Sequence, residues 1–453
     1  MLQPGDGERM RITGVAGQAG HVGVVGVDVE HVDGLDVDSY HADVPGLAAD
    51  AGNPHSLSVA GLEHPRCEGV LALTDDDEVN LVVAMTAALV RPELPVIART
   101  VSPAIEQRMR AFGSPAVVNP FDRFGDHLRL ALHSPASYRL MSWLESGPGA
   151  DLPARGRPPA AGRWVICGYG RFGKKLAEDL RAEGLDVVVI DLRPEAAAGS
   201  GVVVGDTSEA AAGSGVVVGD ASEPAVMARA ELEHAVGFVA GTDNDTTNLS
   251  LIAAARRINP ALFIASRQNR PASAPLFAAM DADRLLVPTE TVAREIYAQL
   301  STPLLWRFLQ DMPARGDEWA AGIIDRLSRH CGHRLGSVWK IALTGRDAPA
   351  LQPYLRRGEA TVGGLLRSPQ EREKPIAAVP LLLQRDTENI LAPDDDVTLA
   401  PGDQILFAGR AWAHRSLLDT MTHHAVSEYV LTGRTVPAGW LWQRVTGRVP
   451  HAR

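Results

Sequence analysis

The stretch Trp164-Val-Ile-Cys167-Gly168-Tyr169-Gly170-Arg171-Phe172-Gly173 decides how this chain is read. Trp164–Cys167 is an apolar run of strand length. A Gly-x-Gly-x-x-Gly turn follows, and Lys174–Glu183 then reads as a helix stopped by Gly184. Val187–Ile190 is the next strand, with Asp191 at its end. Each part has a physical task in a dinucleotide fold. Gly168 permits the tight turn, Gly170 lets backbone approach a pyrophosphate, and Gly173 lets helix pack closely on strand. The helix N-terminus offers free N–H groups and the positive end of its dipole. Asp191 is placed to hydrogen-bond ribose hydroxyls. Alone, the glycine pattern is also that of a structural turn; the flanking strand, helix and acid favour nucleotide binding. Arg193, two residues on, leaves a 2′-phosphate open. Arg171 faces either phosphates or solvent.

One segment strains this lobe. Glu195–Ser208 is repeated at once as Glu209–Ser222, with only Thr207 replaced by Ala221. A third strand is expected once, so one copy is an insertion. The second copy leads into Pro224–Leu232, which assigns Val216–Val218 to the sheet and Asp220 to the cofactor rim. The first copy is then an extruded loop, or the two compete for one register. A recent duplication and an assembly artefact are alternative origins.

A longer repeat organises the chain. Thr74-Asp-Asp-Asp-Glu-Val-Asn-Leu81 returns as Thr242-Asp-Asn-Asp-Thr-Thr-Asn-Leu249, an offset of 168 that also carries Arg99 to Arg267, Pro120 to Pro288 and Leu132 to Leu300. Each copy runs from a strand (Val70–Leu73; Gly237–Ala240) through an Ala-rich helix to another strand (Pro95–Ala98; Leu262–Ser266). That is the βαβ rhythm of a parallel sheet. We therefore expect an α/β protein with two Rossmann-like parallel-sheet lobes in tandem and a small C-terminal α+β domain. The division is a degenerate first lobe over 1–145, a Pro-, Gly- and Ala-rich linker over 146–163, the nucleotide lobe over 164–312, the small domain over 313–410 and a tail over 411–453. Lobe one is degenerate because Gly14, Gly17 and Gly20 echo a glycine loop, but His21–Val32 is Val- and Gly-rich and makes a poor helix. In the small domain a helical connector, Thr291–Gln310, and a breaker at Pro313 precede short apolar runs. Pro401-Gly-Asp403, between Val397–Leu399 and Ile405–Phe407, reads as a β-turn.

Composition narrows the function. In 453 residues, 45% hydrophobic and 22% charged content is ordinary for a globular protein, and scarce aromatics suit Val-rich buried strands and Ala-rich helices. A formal charge of −11 argues against a nucleic-acid partner. No run reaches the ~18–20 apolar residues a membrane crossing needs, and no secretory leader is read at the start. Cys67, Cys167 and Cys331, odd in number and far apart, fit a reducing cytoplasm. No Tyr-x-x-x-Lys pair follows the nucleotide lobe, and His330, Cys331 and His333 form too sparse a set for a metal. His423 and His424 read the same way. The expectation is a binding module, not an enzyme. An NAD-dependent oxidoreductase using the same lobe is the alternative, and an empty structural scaffold is a third reading.

Taken together, Gly168–Gly173, Asp191, Val217-Val-Gly-Asp-Ala221, Thr242–Leu249 and Ile264-Ala-Ser-Arg267 resemble the nucleotide-binding domain of Trk-system potassium uptake regulatory subunits and of regulator-of-conductance-of-potassium (RCK) domains. The segment ending in Pro401–Gly409 resembles that family's C-terminal ligand-sensing domain. The resemblance covers roughly residues 55–135 and 162–410. It implies NAD or NADH, with ATP or ADP as alternatives, on Gly168, Tyr169, Gly170, Arg171, Phe172, Gly173 and Asp191. Thr242, Asp243 and Arg267 would line the same pocket, with Thr74, Asp75 and Arg99 as their lobe-one counterparts. The Asp-Asn-Asp cluster is equally readable as a helix cap. The resemblance further implies a cytoplasmic regulator, a homo-oligomer peripheral to the inner membrane, acting on a membrane potassium channel or transporter subunit. It departs from the family in lacking a small domain after lobe one.

Overall fold

The computed structural model describes residues 12–16, 24–27, 46–113, 116–153, 158–192 and 215–435, with backbone alone for 12–16, 24–27, 46–48, 297 and 301. Arg193, the first copy of the short repeat, and Gly17 and Gly20 of the lobe-one glycine run lie outside the described residues. Two compact units are present: residues 1–126 with 161–296, and residues 127–160 with 297–453.

The first unit holds both lobes. Lobe one comprises β1 Ile12–Ala16, β2 Val24–Val27, β3 Gly46–Ala48, α1 Pro54–Val59, β4 Val70–Ala72, α2 Asp77–Val90, β5 Val96–Arg99, α3 Pro103–Ala111 and β6 Ala116–Val118. Then α4 Pro120–His133, which leaves this unit at Asp126, leads to α5 Pro135–Glu145. Lobe two comprises β7 Arg163–Cys167, α6 Arg171–Ala182, β8 Asp186–Asp191, β9 Val216–Val218, α7 Pro224–Arg229, β10 Gly237–Ala240, α8 Asp245–Ile258, β11 Phe263–Arg267, α9 Ala274–Ala279 and β12 Arg284–Leu286. Next come α10 Pro288–Ser301, which leaves the unit at Ile296, and α11 Pro303–Asp311. The repeat thus extends past Leu132 and Leu300. Ser134-Pro135 and Thr302-Pro303, 168 apart, break the two crossover helices at the same place.

Lobe two's sheet runs β12-β11-β10-β7-β8-β9, parallel throughout. Val216–Val218 joins it beside β8, as expected of the second copy. Lobe one keeps the parallel half β4-β5-β6 but departs in the other. There β2 runs antiparallel to both β1 and β4, inserted between them. So lobe one is a mixed sheet. Its Val24–Val27 segment, too rich in Val and Gly for the helix that follows a glycine loop, takes an extended conformation instead.

The second unit is built on an antiparallel sheet, β13-β16-β14-β15, from β13 Ser337–Ala342, β14 Ala378–Arg385, β15 Glu388–Leu391 and β16 Gln404–Gly409. Period-two alternation splits its side chains. Ile405 and Phe407 face one apolar cluster, Leu406 and Ala408 the other. Pro380, which cannot donate to a ladder, sits beside a bulge in β14. The Leu406 side is covered by α5, α11 and α12 Asp317–Cys331. The Ile405 side is covered by α13 Gln352–Arg357, α14 Val362–Leu365, α15 Ala411–Thr422 and a residue of α16 His424–Thr432.

Three sequence boundaries are corrected here. Residues 411–422 belong to the small domain and not to a tail, because Ala413, Leu417 and Met421 of α15 are buried in the domain core. The 146–163 linker is pinned over Gly149–Leu152, which exchanges backbone hydrogen bonds with His333 and Leu335 at 2.7–2.8 Å. Helix α5 belongs to the second unit, since Leu140, Trp143 and Leu144 pack with α12. The turn at Pro401-Gly402 forms, with Gly402 at φ +93°, but Val397–Leu399 contributes only an isolated bridge from Thr398 to Thr361.

Candidate functional site

The order of lobe two's sheet reverses at β7: the chain adds β8 and β9 on one side, then returns to add β10, β11 and β12 on the other. In open parallel sheets the crevice at such a reversal, beyond the strands' C-terminal ends, is where ligands bind. The glycine loop opens there.

Gly168 has φ +96°, and a Cβ on it would lie 3.2 Å from the Gly241–Thr242 backbone. At Gly173 a Cβ would lie 1.8 Å from the Gly168 carbonyl oxygen, so α6 crosses β7 at a distance that a side chain forbids. Gly170 is different. It caps α6, has open space where a Cβ would stand, and leaves the first N–H groups of the helix without a side-chain cap. These are the donors an anion would find. Phe172 is buried.

The other predicted residues gather at neighbouring strand ends. Asp191, buried at the end of β8, accepts the Tyr169 N–H at 2.6 Å, so its carboxylate holds the glycine loop in place. Gly219 donates to the Asp191 carbonyl, which sets exposed Asp220 beside it. Asp220 accepts the Ser222 N–H at 2.8 Å, and that bond holds its carboxyl below the ordinary range. Thr242 follows β10 and Arg267 ends β11. Burial pulls the Arg267 guanidinium pKa down, with exposed Asp243 opposing it. The Arg267 guanidinium lies 5.1 Å over the Phe121 ring, and its buried Nε has no hydrogen-bond partner. Cys167 is packed behind the loop, and burial pushes its thiol pKa up.

Two further residues organise this rim. Fully buried Asn248 accepts the Thr242 N–H at 3.0 Å and donates to the carbonyls of Thr242 and Arg267 at 3.0 and 2.8 Å. Asp245 accepts the N–H groups of Asn269 and Arg270 at 2.6 and 3.0 Å. Both stand inside the repeated octet. The visible signal was an asparagine retained at the same offset inside a helix, where it is a poor former.

Lobe one repeats the scaffold. Asn80 ties Thr74 to Arg99 as Asn248 ties Thr242 to Arg267, but Arg99 turns back and donates to the Thr74 carbonyl at 2.7 Å. With β2 following β1 in the sheet, no glycine loop faces Thr74, Asp75 and Arg99 among the described residues. Lobe one instead touches lobe two through the first turns of α4. Phe121 and Phe124 each lie 5.5 Å from the Phe172 ring. Arg123 makes a two-pronged ion pair with buried Glu295 at 2.7 and 2.8 Å. Lys175 bonds Asp179 at 2.7 Å and lies 3.8 Å from Asp122.

Among the described residues no set of three or more His, Cys, Asp or Glu side chains is placed to hold a metal ion. Cys331 is buried at the end of α12, and burial lowers the pKa of neighbouring His330. No helix among the described residues is long and apolar enough to cross a membrane.

The TrkA-N domain model matches residues 15–120 and 164–288. Potassium channel protein 1 of Methanocaldococcus jannaschii is 24% identical over 253 residues, covering 54% of this chain and 62% of that one. The Trk system potassium uptake protein TrkA homolog of Pyrococcus abyssi is 30% identical over 165 residues, covering 34% and 66%. The chain thus spans less than two thirds of either relative's length. Among solved structures, the GsuK RCK domain is similar at 16% identity and a TM-score of 0.45, covering 92% of this chain and 96% of that one. The GsuK channel bound to NAD gives 16% and 0.46, covering 84% and 71%.

Proposed function

The chain belongs to the TrkA-N domain family, whose model spans half its residues in two copies, and from that premise we propose that it is a nucleotide-gated regulator of potassium transport with its ligand in lobe two. The observation that carries the reading is the glycine loop at the reversal of strand order, with α6's N-terminus lacking a side-chain cap and open at Gly170. The ligand is NAD or NADH, with ATP and ADP as the competing class. Gly168–Gly173 would take the phosphates, Asp191 the ribose, and Asp220, Thr242, Asp243 and Arg267 the rim. Relatives named as a potassium channel protein and as a TrkA homolog support potassium as the transported ion.

The chain acts as a cytoplasmic homo-oligomer held at the membrane by its partner, a channel or transporter subunit. Its residues bind and transmit; no catalytic acid or base is assigned. Ligand on the loop acts on α6, and α6 packs through Phe172 and Lys175 on α4 of lobe one. A ligand shifts such an arrangement only by binding one state more tightly than the other.

The test is thermal unfolding with NAD, NADH, NADP, ATP and ADP in turn. A ligand at a hundred times its Kd stabilises by about 2.7 kcal/mol. A shift that Asp191→Ala removes is expected; no shift with any of the five overturns the ligand assignment. The transport role is tested by deleting the chain in its own cells. Unchanged potassium uptake and efflux would overturn it.

A further inference from the structure

Arg171 is the first residue of α6, inside the glycine loop, yet its charge is met by the other lobe. Its side chain is 65% exposed, and its Nη1 lies 3.2 Å from Oδ2 of Asp77, whose side chain is 10% exposed at the start of α2. Asp77 is the repeat counterpart of Asp245, but the two are engaged differently. Asp245 holds two N–H groups of its own lobe at 2.6 and 3.0 Å. Asp77 has one, Val101, at 3.3 Å from each oxygen. Two long bonds to a single donor leave the Asp77 carboxylate with lone pairs for a guanidinium. Arg99 also feels the field of Asp77, but it donates to the Thr74 carbonyl.

The rim around the loop carries acids at Asp191, Asp220 and Asp243 and a second cation, Arg267, whose guanidinium is held over the Phe121 ring; Arg171, at the first position of α6, is the cation on the loop itself, and Asp77 offsets it. A dinucleotide brings fewer negative charges to the loop than a nucleoside triphosphate. Coulomb energy scales with the product of the charges. The triphosphate therefore loses more from an acid at the rim and gains more from a freed arginine. We propose that Asp77 of lobe one is a specificity-determining residue of the lobe-two site, holding Arg171 so that a dinucleotide is accepted in preference to a nucleoside triphosphate. The degenerate lobe then has a role in binding at the other lobe's site. This inference rests on the nucleotide reading of lobe two.

The experiment is calorimetric titration of the full-length chain with NAD and with ATP at fixed salt, for wild type, Asp77→Asn, Arg171→Ala and the double variant. Asparagine keeps an oxygen for the Val101 N–H, and Arg171 is exposed, so each single variant is expected to fold; circular dichroism checks this. Asp77→Asn is expected to tighten ATP about tenfold and NAD less than about threefold. In the Arg171→Ala background its gain on ATP is expected to fall to about threefold or less. Equal changes for NAD and ATP, or an ATP gain that survives loss of Arg171, would overturn the proposal while leaving the site in place. Binding of neither ligand by wild type would overturn the nucleotide reading and this inference with it.

Discussion

Asn80 and Asn248, 168 positions apart, make the same two hydrogen bonds: each donates to the carbonyl of the threonine after one strand and to that of the arginine ending the next, at 2.8–3.0 Å. Both are fully buried. In each lobe one amide therefore sets the separation of two strand ends. Replacing either by alanine leaves buried backbone groups unpaired, at a cost of about 1–3 kcal/mol. We expect Asn80→Ala and Asn248→Ala to lower urea unfolding stability by similar amounts. Only Asn248→Ala should weaken NAD, because among the described residues only its rim faces a glycine loop. Equal effects on NAD would contradict the asymmetry between lobes.

Gly170 and Gly173 separate binding from folding. Gly173→Ala drives a methyl into the Gly168 carbonyl, within 1.8 Å, so α6 must move and the lobe should lose several kcal/mol, or about 3 by overpacking alone. Gly170→Ala meets open space and should cost at most about 1 kcal/mol, yet place a methyl where phosphates approach. Denaturation and NAD titration of the two variants should give opposite orders of severity.

The ion pair between Arg123 and Glu295 joins the first turns of α4 to α10. Arg123→Ala removes a two-pronged cation from a buried carboxylate. A loss of about 2–3 kcal/mol is expected, below the range for fully buried pairs because Arg123 is 29% exposed. Unfolding that stays unchanged would show that lobe contact does not depend on this pair.

Asp245 gives a pH dependence with a definite sign. Burial alone would raise its pKa, but the N–H groups of Asn269 and Arg270 and the side chains of Ser273 and Asn269 hold it below the ordinary value. A carboxyl depressed on folding contributes stability above its unfolded pKa, about 3.9, and loses it as pH falls through the folded value. Wild type should lose stability on acidification below about pH 5 more steeply than Asp245→Asn. Parallel pH profiles for the two would contradict this assignment.

Lobe two was largely legible in the sequence because its signals are local and agree: a strand, a glycine turn, a helix and a terminal acid in one run. Register told Val216–Val218 from its earlier copy, since only that copy leads directly into the next helix. The repeat was legible as far as Thr74 and Thr242 match. What was not legible depends on tertiary contact. Nothing local in Val24–Val27 says it will pair with both β1 and β4. Likewise α15 is an ordinary amphipathic segment until Leu417 and Met421 meet the sheet. Arg171 read equally as a phosphate ligand or a surface residue, because its partner Asp77 lies 94 positions away.

The central claim is that two related lobes carry one nucleotide site. Calorimetric titration of NAD into wild type and Gly170→Val measures it directly. The account predicts one site per chain, lost in the variant while the unfolding transition is retained. Two sites per chain, or a single site that survives Gly170→Val, would contradict it.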